Sequence, residues 1–403
     1  MSEYTALGAH CFMGAFTVGV QRSFKVLAQM EVFDLGERTV EHNLRIPFMQ
    51  GPFETWREVA EQFNGVELVY GNPRCTGFSC LGHGHCSRAR GAFSSPTIDL
   101  RQVFELASWL KPPLICVESV QQFGTIGRPL MEQLYEKHGA GYRVAEIYHN
   151  AAQFGNAQHR QRLYFILYRE DLRLPVFEIT EQLRWRDAHV LVGDVIGDPR
   201  RRFATWDDEP WRRVANHLDR DVFNADQPTL SDVRKLSPPL LQHYYTTHDK
   251  PDVVALYHEM REGCNIQRMP DAVLSTAPRL WAKKQAGIGF SFHQTKRLNR
   301  NAACPVVYSA SGHYLHPEYH RSLTVRELAR LMGLPDDWAI LGPAPIAQLG
   351  KGVCVEVAMW IGALMKATLD GIKPAYDDDS AWLRFDLDAP SLGWVPKKPR
   401  LVR

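Results

Sequence analysis

Glu67-Leu68-Val69-Tyr70 runs directly into Gly71-Asn72-Pro73-Arg74-Cys75-Thr76-Gly77-Phe78-Ser79. A short apolar run bounded by glycine and proline predicts a strand that ends in a tight turn. Similar runs predict strands over Val26–Glu31, Leu114–Glu118 and Leu163–Tyr168, and helical periodicity lies between them at Ile98–Leu110 and Pro129–His138. This alternation predicts an α/β fold, a parallel sheet with helices on both faces. Such sheets bind ligands at the carboxyl ends of their strands, which is where Cys75 falls.

A cysteine in that turn is placed as an exposed nucleophile, whereas Cys116, inside a strand, reads as structural. A thiol acts as a thiolate near neutral pH only if cationic groups lower its pKa, and the adjacent Arg74 is the expected source. Glu118 breaks the apolar run Leu114–Glu118 at its carboxyl end. It can serve as a general acid or hold a polar ligand, or it is a capping or ion-paired glutamate. Asn150–Gly155 is followed by Gln158-His159-Arg160-Gln161-Arg162 and then a strand. Arg160 and Arg162, two apart, point to one side and suit an anionic or carbonyl-rich ligand, or else form a solvated strand end.

Composition narrows the class. With 403 residues, 45% hydrophobic and 23% charged, the chain reads as a globular protein of two or three domains, not a disordered, collagen-like or coiled-coil chain. No 18-residue window is both charge-free and strongly apolar, so no membrane span is expected. Thr5–Val20 resembles a signal-peptide core, but Glu3 precedes it, His10 interrupts it and no small-residue cleavage site follows, so export is not expected. Eight cysteines are too few for a disulfide scaffold and are expected to stay reduced in a cytoplasm-like compartment.

The net charge of +2 conceals 34 Arg against 13 Lys, and arginine is the side chain suited to forked phosphate and base-edge contacts. From Ala272 to Pro317 there is no Asp or Glu, while Arg279, Lys283, Lys284, Lys296, Arg297 and Arg300 fall there. Such a stretch predicts a polyanion partner, or a basic surface matched by acids elsewhere. Between about Arg173 and Asn301 the periodicity weakens and Trp, Pro and Arg become dense. Regular structure returns with a capping box, Thr324 with Glu327, on a helix closed by Gly333 and Pro335, and with a helix over Val355–Leu369. Cys80, His83, His85 and Cys86 crowd into seven residues without a second ligand pair, so no metal is expected.

Taken together, these residues resemble the DNA (cytosine-5) methyltransferase family. The Cys75 block is similar to its Pro-Cys nucleophile motif, with Arg74 where a second proline is usual. Cys116–Val120 resembles Glu-Asn-Val, with Ser119 for Asn. Gln158–Arg162 matches Gln-x-Arg-x-Arg. Arg321-Ser322-Leu323-Thr324-Val325-Arg326-Glu327 with Ala329-Arg330-Leu331 and Pro335-Asp336 is similar to the ninth motif, and Gln348–Val353 sits where the tenth belongs. The blocks follow the family's order over residues 5 to 365.

The resemblance implies a Rossmann-like S-adenosylmethionine-dependent methyltransferase sheet with a second, smaller, irregular target-recognition domain. The implied boundaries are 1–175 and 306–376 for the catalytic domain, 176–305 for target recognition, and 377–403 as a tail packed on the surface. It implies double-stranded DNA as partner, no membrane, a monomer, and a cytoplasmic or otherwise intracellular site in a bacterium or phage-infected cell. A cytosine flipped out of the duplex would be attacked at C6 by Cys75 and modified at C5. Glu118 would hold N3 and the exocyclic amine, and Arg160 and Arg162 would contact the carbonyl or flanking backbone. Gln158, Ser79 of the nucleophile block and Arg88, in the loop Cys80–Ser94 read as a lid, would face the substrate, with Arg279, Lys283, Lys284, Arg297 and Arg300 on DNA. The cofactor-side positions are His10, Phe12, Gly14, Glu31 (ribose), Glu54, Pro73, Lys351 and Val353.

On that side the sequence departs from the pattern. His10-Cys11-Phe12-Met13-Gly14-Ala15 stands where Phe-x-Gly-x-Gly-Gly is usual, Pro52 or Glu54 where an aspartate is, and Lys351 where an asparagine is. A lysine 4 Å from a sulfonium is repulsive by about 1–4 kcal/mol. An anionic donor, a carboxy-S-adenosylmethionine, would turn this into attraction; alternatively Lys351 reaches solvent, an acid or a phosphate. A catalytically silent DNA-binding relative is the remaining alternative, against which the retained Cys75, Glu118, Arg160 and Arg162 argue.

Overall fold

The computed structural model describes residues 4–75, 78, 97–183, 190–196, 256–257, 259–287, 295–309, 314–318, 323, 325–342, 344–387 and 400–402. The chain divides into two compact units, residues 1–189 with 351–403 and residues 190–350. The first unit opens with β1 (Thr5–Ala9), α1 (Ala15–Val20), β2 (Lys25–Glu31), α2 (Glu37–Leu44), β3 (Phe48–Gln50), α3 (Trp56–Ala60) and β4 (Leu68–Gly71). It continues through α4 (Ile98–Leu110), β5 (Leu114–Val120), α5 (Arg128–His138), β6 (Tyr142–Asn150), β7 (Gln161–Arg169) and α6 (Val176–Leu183). The second unit carries α7 (Val192–Ile196), α8 (Asp271–Leu274), α9 (Pro278–Gln285), β8 (Lys296–Arg297), β9 (Tyr314–Leu315) and α10 (Val325–Leu331), and α11 (Pro345–Lys351) ends at the boundary. The first unit resumes with α12 (Val355–Leu369), β10 (Trp382–Asp386) and β11 (Arg400–Val402).

The nine strands of the first unit form one sheet in the order β11-β10-β6-β7-β5-β4-β1-β2-β3. Its centre, β4 and β5, is buried along its whole length, which is why these strands read as continuous apolar runs rather than alternating ones. α4 places Leu100, Val103, Phe104, Leu106, Ala107 and Leu110 on its buried face, and Lys111 in a left-handed conformation followed by two prolines stops it. α12 is buried along one side against α1. A Cβ on Gly19 would lie 2.3 Å from the Ala358 methyl, so only glycine permits these helices to approach so closely.

Three expectations are corrected. The sheet is not all parallel: β7 runs antiparallel to both β5 and β6. Residues 306–350 do not return to the sheet unit; α10 packs on α7, and Arg330 reaches the Ile196 carbonyl at 3.4 Å, so the return occurs at Lys351. The tail does not simply cover the surface, because β10 pairs with β6 and β11 with β10. Residues 345–369 are together long and apolar enough to cross a membrane, but the stretch carries Glu356 and Lys366 and forms two helices, α11 and α12, of which α12 supplies core residues such as Trp360, Ile361, Leu364 and Met365.

Candidate active site

The antiparallel direction of β7 assembles the site. Its first residues lie beside the last residues of β5, with Arg162 opposite Val120 and Tyr164 opposite Glu118. The start of one strand and the ends of β4 and β5 therefore share the carboxyl edge of the sheet, where Cys75, Glu118, Arg160 and Arg162 converge.

Cys75 is half-buried in the turn after β4, and its carbonyl accepts the Phe78 N–H at 3.0 Å. Burial pushes the thiol up, and Glu118 adds to that; Arg162 and Arg160 oppose both by favouring the thiolate. Arg74 is not the cation that acts on it. Its guanidinium is forked onto Asp99, Nε to Oδ2 at 2.6 Å and an Nη to Oδ1 at 2.7 Å, and it stacks over the Phe33 ring at 4.6 Å.

Glu118 is buried, and its Oε1 lies 3.1 Å from Arg162 Nε. The pair is misaligned for a hydrogen bond, so both atoms are buried without a hydrogen-bond partner among the described residues. Buried polar atoms in that state await a ligand or water, since leaving them unmet costs about 1–3 kcal/mol each. Arg160 donates to the Gly352 carbonyl at 2.7 Å, and Gln158 donates to Cys354 Sγ at 3.5 Å with no exposed surface. Gln158 therefore does not face substrate; it and Arg160 pin the turn between α11 and α12.

The turn after β1 is unusual. His10 (φ 55°), Phe12 (φ 52°) and Gly14 (φ 80°) are all left-handed, at a cost of about 1–2 kcal/mol for each of the two non-glycine residues. The strain is held in place from β2. The Phe12 N–H donates to Glu31 Oε1 at 2.8 Å, and Gln29 Nε2 donates to the Phe12 carbonyl at 2.7 Å and to the same Oε1 at 2.9 Å. Gly36 (φ 103°) lies flat on this turn, where a Cβ would meet the Phe12 carbonyl oxygen at 2.5 Å.

Glu31 is fully buried, and burial raises its pKa to about 8. His10 is fully buried as well, hydrogen-bonded to Gln102 at 2.9 Å, and burial lowers it to about 4. Both are neutral near pH 7. His10 Nδ1 and Glu31 Oε2 face each other at 3.9 Å, each without a hydrogen-bond partner among the described residues. Lys351 is half-buried, with its Nζ 4.8 Å over the Phe12 ring. Burial lowers its pKa, and its carbonyl accepts from the Asn72 side chain. It is thus not a surface lysine. Pro73 and Val353 are buried nearby in sequence to these groups, and Glu54 is exposed.

In the second unit, Arg297 is corrected from a DNA contact to a structural residue. It is buried and donates to the carbonyls of Met260, Tyr257 and His316, each at 2.7 Å. Lys284 pairs with Asp271 and Arg300 with Glu262, so acids just outside the acid-free stretch match two of its cations. Arg279 is exposed, and Lys283 lies on the same short helix. Ser79, Arg88, Cys80, His83, His85, Cys86 and the capping residue Thr324 lie outside the described residues. Among the described residues no cluster of metal-ligating side chains occurs. Asp99, Gln102 and Gln29 were not singled out from sequence; Asp99 reads only as an acid in a helix's first turn.

A Rossmann-like sheet carrying a thiol and a carboxylate at the ends of neighbouring strands defines a methyltransferase-type fold. The chain belongs to the C-5 cytosine-specific DNA methylase family, whose profile matches residues 13–367. It is 26% identical over 318 residues to the type II methyltransferase M.XorII of Xanthomonas oryzae pv. oryzae, covering 75% of this chain and 68% of that protein. Over shorter stretches it is 38% identical to the DNA (cytosine-5)-methyltransferase CMT3 of Arabidopsis thaliana and 42% identical to M.Eco47II of Escherichia coli. Those matches cover 16% and 14% of this chain but only 8% and 14% of those proteins. Among solved structures, an E. coli prophage-encoded protein described as a DNA modification methyltransferase aligns with a TM-score of 0.62 at 16% identity, over 91% of this chain and all of that one. S. pombe Dnmt2 aligns at 0.52 and 13%, over 91% and all of that chain.

Proposed function

We propose that this chain modifies C5 of cytosine in double-stranded DNA, with Cys75 as the nucleophile. The observation that carries this reading is the convergence of a half-buried thiol, a carboxylate oxygen without a hydrogen-bond partner and two arginines at one sheet edge. Arg160 and Arg162 stabilise the thiolate. Its sulfur bonds to C6 of a flipped cytosine, and electron density moves to C5. Glu118 Oε1 accepts a hydrogen from the exocyclic amine and so fixes the ring over the thiol. After C5 has taken its new carbon it loses its proton, the C6–S bond breaks and the thiolate is restored. S-adenosylmethionine, the donor of the family, supplies that carbon as an electrophile when bound.

The donor-side residues fit such a group with a preference. With Oε1 accepting two N–H groups, the proton of neutral Glu31 sits on Oε2, a buried O–H left to donate to a hydroxyl, and Lys351 Nζ presents a cation over Phe12 while Glu31 and His10 beside it are neutral. That balance favours a donor bearing an extra carboxylate, so a carboxy-S-adenosylmethionine is the second reading. The six described cysteines are all free, in keeping with an intracellular, reducing site, and the chain is read as acting as a monomer. Mass analysis of nucleosides from DNA incubated with protein and each donor tests both readings. Methylated or carboxymethylated cytosine supports them; unchanged cytosine with every donor, in a protein that binds DNA, supports the silent relative.

A further inference from the structure

The turn that carries Cys75 is held from the side by an ion pair. Asp99 is buried, and both of its oxygens are taken by the Arg74 guanidinium in a forked contact. A fork fixes direction as well as distance, unlike a single point contact. Asp99 sits in the first turn of α4, whose buried face anchors it to the sheet core and whose amino end favours a carboxylate. On its other side Arg74 stacks on Phe33, the second residue after β2. Because β1 lies between β4 and β2 in the sheet, this side chain reaches from the end of β4 to the segment after β2. The same helix also holds the strained His10–Gly14 turn, through Gln102 on His10.

We propose that Asp99 is a positioning residue that orients Cys75 through Arg74, the ion pair supplying at this turn the rigidity that a proline at position 74 would supply covalently. A proline fixes φ near −65° and needs no partner. The inference rests on Cys75 being the nucleophile, and its test separates the two claims. Asp99→Asn removes the charge that holds the fork while keeping the side chain's size. It should lower kcat about tenfold with KM for DNA within about twofold, and speed iodoacetamide alkylation of Cys75 about fivefold as the turn loosens. Arg74→Lys, which keeps the charge but loses the fork, should show a smaller loss of the same kind and provides the reading if Asp99→Asn does not fold. Arg74→Pro should make Asp99 dispensable, so that Arg74→Pro/Asp99→Asn recovers both kcat and alkylation rate to within about threefold of wild type. A merely structural Asp99 would show no such rescue. An Asp99→Asn or Arg74→Lys variant with wild-type kcat and alkylation rate, or a double variant no better than Asp99→Asn, overturns the proposal. Absence of turnover in wild type would sink the functional reading instead, and alkylation would still decide the role of Asp99.

Discussion

Arg162 Nε and Glu118 Oε1 lie 3.1 Å apart without a hydrogen bond between them. Two opposite charges so placed are neither satisfied nor free. They attract, yet each retains capacity for a third group, and Cys75 lies within the reach of both fields. The arrangement ties the reactivity of the thiol to Arg162. Burial raises the thiol's pKa and Arg162 lowers it, so Arg162→Ala removes the opposing effect and the thiol should titrate higher. Its alkylation profile should move to higher pH. An unmoved profile would mean that Arg162 does not act on Cys75.

Glu31 makes the donor turn sensitive to pH in a definite direction. Its folded pKa, about 8, lies above the ordinary 4.5, so its neutral form is what the fold holds. The stability it confers is complete below the ordinary value and is lost as pH rises toward 8. Glu31→Gln stays neutral and should escape that loss. The melting temperature of the variant minus that of wild type should therefore increase from pH 5 to pH 8. His10 acts oppositely, since a folded value near 4 lowers stability as pH falls below 6.5. A difference that does not change over this range would mean that Glu31 is ionised in the folded protein.

Much of this was legible and some was not, for identifiable reasons. β4, β5 and α4 are visible because continuous or helically spaced apolar residues fill both sides of a buried sheet. β6 is hidden by Glu146 and His149 within it. Glu146 is buried because Arg128 and Trp382, distant in sequence, and Tyr148, two residues on, all donate to it. The motif residues Cys75, Glu118, Arg160 and Arg162 were identifiable, but not the direction of β7 that brings them together. Asp99 could not be found, because nothing local distinguishes the partner of Arg74 from any first-turn acid.

Arg297 and its neighbours separate two roles that the acid-free stretch merges. Arg297→Ala removes the guanidinium that donates to three carbonyls and should destabilise the second unit by about 2–4 kcal/mol. Arg279→Ala/Lys283→Ala should leave the melting temperature unchanged. If both cations contact phosphates, the slope of log K against log salt should become shallower by about 0.9 for each. An unchanged slope would place the DNA path elsewhere.

Lys351 over Phe12 predicts donor choice. Wild type should prefer carboxy-S-adenosylmethionine over S-adenosylmethionine in direct binding, and Lys351→Asn should shift that ratio toward the ordinary donor by about 5- to 150-fold, the reach of one partly screened charge pair. Calorimetric titration of each donor reads this without turnover. A ratio unaffected by the substitution would remove Lys351 from donor recognition.

The central claim is a covalent bond between Cys75 and a cytosine, and DNA carrying 5-fluorocytosine tests it most directly. Fluorine cannot leave C5 as a proton does, so the C6–S bond should persist once the donor has reacted. With a donor that binds, wild type should give a denaturation-resistant protein–DNA adduct whose peptide map places the link at Cys75, and Cys75→Ser should give none while binding DNA to within about threefold of wild type. No adduct in wild type, or an equal adduct in Cys75→Ser, would contradict the account.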